Sequence, residues 1–350
     1  MKVVLSAVLV LLLVAAEAGA QTEHLAPGVF HDVFSAAHAP VLTVASGTRI
    51  ATAVPGGPGA GFVGPIAVEG AEPGDLLVVR IESLTPGAMG ASPGVMTAGA
   101  VAPGELSNRD VGMLPWMLDA EAGVARLDLP TVQPNVDWAE RYGSPVIELP
   151  LMPALSGLGV APGSGDTADA ATVGPWGGSL DFGGLTEGAL VLLPVFESGA
   201  LLYVGPGRAR QGDGLAAGAG IETSMDVELG LVLVPRDAWP HSSVVRPSTV
   251  VGEFEMAWPR VETADMLMAV AAGPTLDEAV RRATLELHHW LDDDFGLNEV
   301  AVSTLMGQAL EYEIARVAGD GADAVVVAKV SKASIPVPVE PVGTFPPGIE

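Results

Sequence analysis

Residues 189–214 read ALVLLPVFESGALLYVGPGRARQGDG, and this stretch contains two apolar runs followed by a glycine-rich segment. Residues 189–195 and 200–204 are almost entirely apolar, which is typical of strands buried on both faces of a sheet. The second run continues into a segment with four glycines, two arginines and one aspartate. Glycines let backbone N–H groups approach a ligand closely. The stretch therefore predicts a buried β core that ends in a ligand-binding loop, with a wide turn between strands as the alternative.

Further strand-like runs occur on both sides of this stretch, separated by turns rich in Gly and Pro. Residues 75–82 and 225–233 alternate between two faces, as strands do. The remaining predicted strands cover 41–45, 66–69, 251–257, 266–270 and 324–330. Residues 86–104 and 162–178 are predicted to be loops. The 44 glycines and 29 prolines also favour short strands and tight turns over long helices.

Helices are predicted only late in the chain. Thr275 and Glu278 form a capping box, and apolar residues at helical spacing follow to about residue 292. A shorter helix is predicted after Asn298. We therefore predict a mainly β fold with a β-sandwich-like core and an additional α+β section near the C-terminus. The core would cover 21–270, the α/β section of the same unit 271–332, and a Pro-rich tail 333–350.

The first twenty residues predict a cleavable export signal. Lys2 precedes an apolar stretch of about 14 residues, which is too short to span a bilayer as a helix. Ala18-Gly19-Ala20 offers the small residues that signal peptidase requires. Cleavage near Ala20 would place the mature chain, beginning at Gln21, in the periplasm or outside the cell. An uncleaved N-terminal anchor is the alternative.

Composition excludes several classes of partner and chemistry. The net charge is −26, which opposes binding to nucleic acids and to anionic membranes. No later segment is predicted to insert stably into a membrane. The chain contains no cysteine, so a thiol nucleophile and a thiolate metal site are excluded.

Four segments resemble the acetamidase/formamidase family, in order along the chain. They begin at Gly64 (GPIAVEGAEPGD), Leu149 (LPLMPALSGLGVAP), Gly174 (GPWGGSLD) and Gly199 (GALLYVGPGRARQGDG), and Ile221-Glu222 follows the last of them. The resemblance is clearest from about residue 63 to 222, with a weaker continuation to about 332. It implies a hydrolase of carbon–nitrogen bonds other than peptide bonds, acting on a small linear amide. It also implies a homo-oligomer, since relatives tend to assemble as oligomers.

The resemblance implies a set of site residues. Retained family positions make Asp181, Gln211, Asp213 and Glu222 the candidate catalytic residues. The neighbouring positions make Trp176, Arg208, Gly212 and Glu69 the candidate substrate-binding residues.

Five positions differ from the family pattern, which has His, Asn, Asp, His and Glu there. In the same order, this chain has Trp176, Ser179, Pro206, Arg208 and Leu215. The family resemblance implies a divalent metal such as zinc, but the expected ligand positions are largely replaced, so the metal and its ligands are unknown. The guanidinium of Arg208 could take over the charge of a metal without its activation of water.

Three functions are compatible with these residues. A carboxylate, Asp213 or Glu222, could activate water for attack on an amide while Arg208, Gln211 or loop N–H groups stabilise the oxyanion. The second possibility is a non-catalytic descendant that binds a small ligand or a partner protein. The third is a secreted β-sandwich whose acidic loops bind calcium. The sequence does not contain the residues that a nucleophile-elbow amidase or a Cys-dependent amidase requires.

Overall fold

The computed structural model describes residues 22–336, apart from 27, 58, 95–99, 102–111, 135, 138–139, 141–142, 237–257 and 320. The predicted signal peptide, the predicted strand at 251–257 and most of the Pro-rich tail lie outside the described residues.

Short strands dominate the described chain, as the recurrent turn residues predict. In chain order the strands are β1 (Thr22–Leu25), β2 (Phe30–His31), β3 (Val33–Ser35), β4 (Leu42–Val44), β5 (Arg49–Val54), β6 (Phe62–Val68), β7 (Leu76–Pro86), β8 (Met89–Pro93), β9 (Met113–Asp119), β10 (Val124–Asp128), β11 (Val146–Pro150), β12 (Ala154–Leu155), β13 (Leu158–Gly159), β14 (Thr167–Asp169), β15 (Val173–Gly174), β16 (Gly177–Gly178), β17 (Leu190–Pro194), β18 (Leu202–Val204), β19 (Gly207–Arg210), β20 (Ile221–Thr223), β21 (Met225–Val234), β22 (Arg260–Glu262), β23 (Met266–Gly273), β24 (Glu311–Arg316) and β25 (Ala324–Ser331). The helices are α1 (Leu129–Val132), α2 (Leu276–Asp293) and α3 (Glu299–Ala309).

Three larger sheets organise the described strands. The first has the order β1-β5-β21-β7-β17-β22-β23-β25-β24, the second β11-β10-β9-β8-β20-β19-β12, and the third β15-β16-β13-β18-β6-β2 with β4 beside β6. A small additional sheet pairs β14 with β3. The apolar runs at 189–195 and 200–204 become β17 and β18, and every residue of both strands is buried. The predicted mainly β fold is confirmed.

Short connections carry the chain between sheets and bring distant strands together. β18 of the third sheet passes into β19 of the second through Gly205-Pro206, and β20 passes into β21 of the first through Ser224. Gly207 permits the close packing at this junction, because a Cβ atom there would lie 2.6 Å from the Cβ of Met225 and 2.8 Å from the carbonyl oxygen of Thr223. The glycine-rich segment is thus fixed where the sheets meet.

The predicted C-terminal helices are present and pack on the first sheet. The hydroxyl of Thr275 accepts a hydrogen bond from the N–H of Glu278 and caps α2, while Asn298 caps α3 in the same way. The buried stripe of α2, which includes Ala283, Leu287 and Trp290, belongs to the same core as β23 and β25. The predicted domain limits at 270 and 332 stay predictions.

The two predicted loops contain strands, and this part of the sequence analysis is wrong. Met89–Pro93 forms β8 within the predicted loop 86–104, and β14, β15 and β16 lie within the predicted loop 162–178. β8 lacks the apolar alternation that identifies a strand, and the other three are only two or three residues long. Pairing with β9 and β20 keeps β8 extended. Within the described ranges, no helix has both the length and the apolar character needed to cross a membrane.

Candidate active site

Asp181 is the centre of a buried ion cluster. Its side chain is 3% exposed, and its backbone adopts a φ of 54°, a left-handed conformation that aspartate tolerates better than most residues. Its N–H donates to the carbonyl of Ser156 at 2.8 Å, and its own carbonyl accepts a hydrogen bond from the side-chain amide of Gln211 at 2.5 Å. Asp181 is therefore held by backbone contacts on both sides.

Arg208 on β19 binds both Asp181 and Gln211. Its Nη2 lies 2.8 Å from Oδ1 of Asp181, and its Nη1 donates to Oε1 of Gln211 at 2.8 Å. Its Nε is buried without a hydrogen-bond partner among the described residues. Leaving a buried donor unpaired costs about 1–3 kcal/mol. The Nε–H of Arg208 is therefore a buried, unpaired donor within the cluster.

Arg316 joins the cluster from the end of β24, and the sequence analysis missed it. Its Nη1 lies 2.9 Å from Oδ2 of Asp181 and donates to the carbonyl of Ala171 at 3.1 Å. The glycine-rich loop anchors this end of β24, because the N–H of Val317 donates to the carbonyl of Gly214 at 3.2 Å. Both oxygens of Asp181 are thus paired with a guanidinium. No local motif surrounds Arg316 that could have identified it, since it lies 135 residues from Asp181 in sequence.

Glu222 on β20 faces Arg208 across the sheet. The two residues are direct partners in the antiparallel pairing of β19 and β20, so their side chains project from the same face. Burial raises the pKa of Glu222; the positive charge of Arg208 opposes this rise, and the negative charge of Asp181 adds to it. A carboxylate with a raised pKa is suited to take up a proton from water and return it. Glu222 is therefore the candidate general base in the cluster.

Residues 163–328 match the sequence model of the Acetamidase/Formamidase family. This range contains Asp181, Arg208, Gln211, Glu222 and Arg316, the whole ion cluster. Over this range, slightly less than half of its length, the chain is similar to the acetamidase/formamidase family. Comparison with curated proteins finds no match.

Solved structures share the fold at low sequence identity. The protein is similar to an acetamidase from Yersinia enterocolitica, with a TM-score of 0.71, 23% identity and coverage of 92% of this chain and 95% of that one. It is similar to an acetamidase from Bacillus halodurans, with a TM-score of 0.70, 21% identity and coverage of 90% and 100%. A predicted acetamidase/formamidase from Thermoanaerobacter tengcongensis gives a TM-score of 0.68, 22% identity and coverage of 89% and 97%. These structures show that the fold is shared, and the sequence match over residues 163–328 relates that part of the chain to acetamidases and formamidases.

The other predicted site residues lie outside the cluster. Asp213 is exposed at the start of a 3-10 turn (Asp213–Leu215), and Gly212 before it is also exposed. Trp176 is partly buried and packs against the aromatic cluster that contains Phe34 and Tyr203. Glu69 is exposed in the turn after β6. Among the side-chain contacts of the described residues, none joins Asp213, Trp176 or Glu69 to the ion cluster. Their roles stay predictions.

The residues at the site do not fit the divalent metal that the family resemblance implies. Two guanidinium groups occupy both oxygens of Asp181, and their positive charges oppose a second cation there. The hydroxyl of Ser179, at another replaced family position, donates to the carbonyl of Ala170. Nowhere in the described ranges do three or more His, Asp or Glu side chains form a group that could hold a metal ion. His31 and His38 stack with ring centroids 3.9 Å apart, but they form only a pair.

Proposed function

We propose that the protein is an exported amidohydrolase that converts a small linear amide and water into a carboxylate and ammonia. The observation that carries this proposal is the juxtaposition of the Glu222 carboxylate and the unpaired Nε–H of Arg208 on one face of the second sheet. A base and a hydrogen-bond donor side by side match the two needs of amide hydrolysis, since water must lose a proton and the carbonyl oxygen must gain negative charge.

Each group then has one role in the reaction. The Nε–H of Arg208 binds the carbonyl oxygen, and Glu222 takes a proton from water as the water oxygen bonds to the carbonyl carbon. Glu222 returns this proton to the amide nitrogen as the carbon–nitrogen bond breaks and ammonia leaves. Asp181 and Gln211 hold Arg208 in place, and the positive charge of Arg316 lies beside the second carboxylate oxygen of Asp181. This proposal assigns the base to Glu222 rather than to Asp213, because Glu222 has the raised pKa and faces Arg208.

A comparison of carboxylate variants tests the proposal. We expect the purified protein to release ammonia from acetamide without added zinc, and Glu222→Gln to lower kcat by about 100-fold or more, the usual contribution of a general base. Asp226→Asn, which changes an exposed carboxylate on β21, serves as the matched control. Ammonia release by Glu222→Gln at the rate of the parent would contradict the assignment of the base.

One observation favours a second candidate function. Both oxygens of Asp181 are occupied by guanidinium groups, and such saturation also suits a family descendant that binds a small ligand without hydrolysing it. Absence of ammonia from formamide, acetamide and longer amides, combined with measurable binding of one of them, would favour this function over the amidase. We further propose, from the first twenty residues, that either activity takes place outside the cytoplasm after cleavage near Ala20; the N-terminal residue of the exported protein tests this.

A further inference from the structure

An apolar sheet face lies directly beside the candidate base. Residues on one side of β8 and β9 point away from the core, and we call this set the methionine face: Met89, Ala91, Pro93, Met113, Pro115 and Met117. Met89 and Met117 are cross-strand partners and are 60% and 61% exposed. The opposite side of the same strands, which includes Trp116 and Leu118, is buried in a core of its own. Methionines that remain this exposed on a sheet are unusual in a region without a ligand or partner.

Strand register places the methionine face on the same side of the sheet as the ion cluster. Five residues, one from each neighbouring strand, lie in a single row across the second sheet: Ala154, Arg208, Glu222, Ala91 and Pro115. Directly paired residues of antiparallel strands project from the same face. Exposure increases along this row, from buried Ala154 and Arg208, through half-buried Glu222 and Ala91, to exposed Pro115. Glu222 therefore stands where a buried polar site opens onto an apolar surface.

The spacing fits the acyl chain of a substrate. Adjacent strands are about 5 Å apart, so Ala91 is one strand and Pro115 about 10 Å from Glu222. Met89 is a diagonal neighbour of Glu222, within roughly 7–8 Å. An amide whose carbonyl is held at Arg208 would extend its acyl chain over these residues. Formamide and acetamide are too small to contact the methionines from that position, whereas a chain of five or six carbons reaches Met89, the methionine nearest to Glu222. Methionine side chains adapt to flexible apolar groups.

We propose that the methionine face binds the apolar acyl chain of the substrate, so that the enzyme prefers aliphatic amides of about five or six carbons over formamide and acetamide. This inference rests on the proposed amidase function and deepens it. Met89 and Met117 then determine specificity, while Glu222 and Arg208 perform the chemistry common to all amides.

A homologous series of amides tests the proposal. We expect kcat/KM for ammonia release to change little from acetamide to butanamide and to rise by about four-fold from pentanamide to hexanamide, the effect of burying one CH₂ group. Met89→Gln should reduce this dependence on chain length. Val300→Gln, which changes a 75% exposed residue on α3, is the matched control and should retain the full dependence. Thermal melting of each variant verifies that it is folded.

The outcomes separate this inference from the proposed function. Hydrolysis of acetamide with no dependence on chain length would overturn the acyl-chain site and leave the amidase standing. Calorimetric titration with hexanamide and acetamide provides a readout that does not need turnover. Tighter binding of hexanamide that Met89→Gln abolishes, without ammonia release, would support the apolar site while the amidase fails. If Met89→Gln instead changes the sedimenting mass and leaves the chain-length dependence intact, the methionine face is an interface between copies of this chain, and the proposal is wrong.

Discussion

The half-buried position of Glu222 raises its pKa. A raised pKa suits the proposed general base, but it also destabilises the folded protein at neutral pH. Removal of water around the carboxylate disfavours its charged form and raises its pKa above the ordinary value of 4.5. The guanidinium of Arg208 opposes this effect without cancelling it. At neutral pH the charged carboxylate that the reaction needs is therefore less stable in the folded protein than in the unfolded chain.

The sign of this pKa change gives a prediction for both rate and stability. Because the base must be deprotonated, kcat/KM should rise with pH, with its midpoint above the usual range of a glutamate. Because the folded pKa is the higher one, the Glu222 carboxyl favours folding most below pH 4.5 and loses this contribution as pH rises through the folded pKa. Glu222→Gln should consequently melt at a higher temperature than the parent at pH 7, and the difference should shrink toward pH 4. A lower melting temperature for Glu222→Gln at pH 7 would show that the carboxylate is stabilised by its neighbours.

The site residues differ in how well the sequence alone could identify them. Asp181, Arg208, Gln211 and Glu222 lie in segments that carry the family motifs, and the structure brings all four together. Arg316 was missed because long-range pairing on β24, rather than a local pattern, places it on Asp181. Asp213 shares the glycine-rich motif, yet its exposed position on the 3-10 turn depends on the loop conformation, which residue types do not specify.

Among the strands and helices, those with long apolar patterns were predicted correctly. The predicted run 189–195 becomes β17, and the predicted helix from Thr275 becomes α2, since each has a long apolar pattern with a clear boundary. β8 contains Gly, Ser and Pro in five residues and is extended only because β9 and β20 pair with it. The position of β8 beside the strand that carries Glu222 could therefore be recognised only from the sheet order.

The junction of β22 and α2 depends on a buried ion network. Nε of Arg260 lies 2.6 Å from Oε1 of Glu286 and its Nη1 lies 3.3 Å from Oδ2 of Asp294. The guanidinium also lies 5.3 Å from the centre of the Trp290 ring, and Oε2 of Glu286 accepts a hydrogen bond from the N–H of Trp258 at 3.1 Å. Arg260 and Glu286 are each 4% exposed, so each depends on the other for charge compensation.

Arg260→Met should therefore destabilise the protein by about 3–5 kcal/mol, since it leaves buried carboxylates without their cation. Arg281→Met is the matched control: Arg281 pairs with Glu278 on the exposed side of α2 at 3.7 Å, and its side chain is 71% exposed. Loss of such a surface pair costs at most about 1 kcal/mol. Urea unfolding of both variants measures the difference, and equal midpoints would show that the buried network contributes no more than the surface pair.

At the scale of the whole molecule, the core forms without covalent cross-links. The chain has no cysteine, and one continuous apolar cluster connects the strands of the first and third sheets with helices α2 and α3. Its folding therefore does not require the oxidising conditions that many exported proteins need for disulfides. We therefore expect export and folding to be separable, with the predicted signal at residues 1–20 directing export and the described core folding without it.

This separation predicts the behaviour of two forms of the protein. The full chain should be exported and should start at Gln21, as N-terminal sequencing or intact mass would determine. A form that begins at Gln21 after its initiator methionine should stay in the cytoplasm and fold there, with the same melting temperature and the same rate of ammonia release. Dithiothreitol should change neither property, since no disulfide exists to be reduced. Retention of the full chain in the membrane fraction with residues 1–20 still attached would contradict cleavage and favour an N-terminal anchor. A cytoplasmic form that aggregates while the exported form is folded would show that folding depends on the exported environment through something other than disulfides.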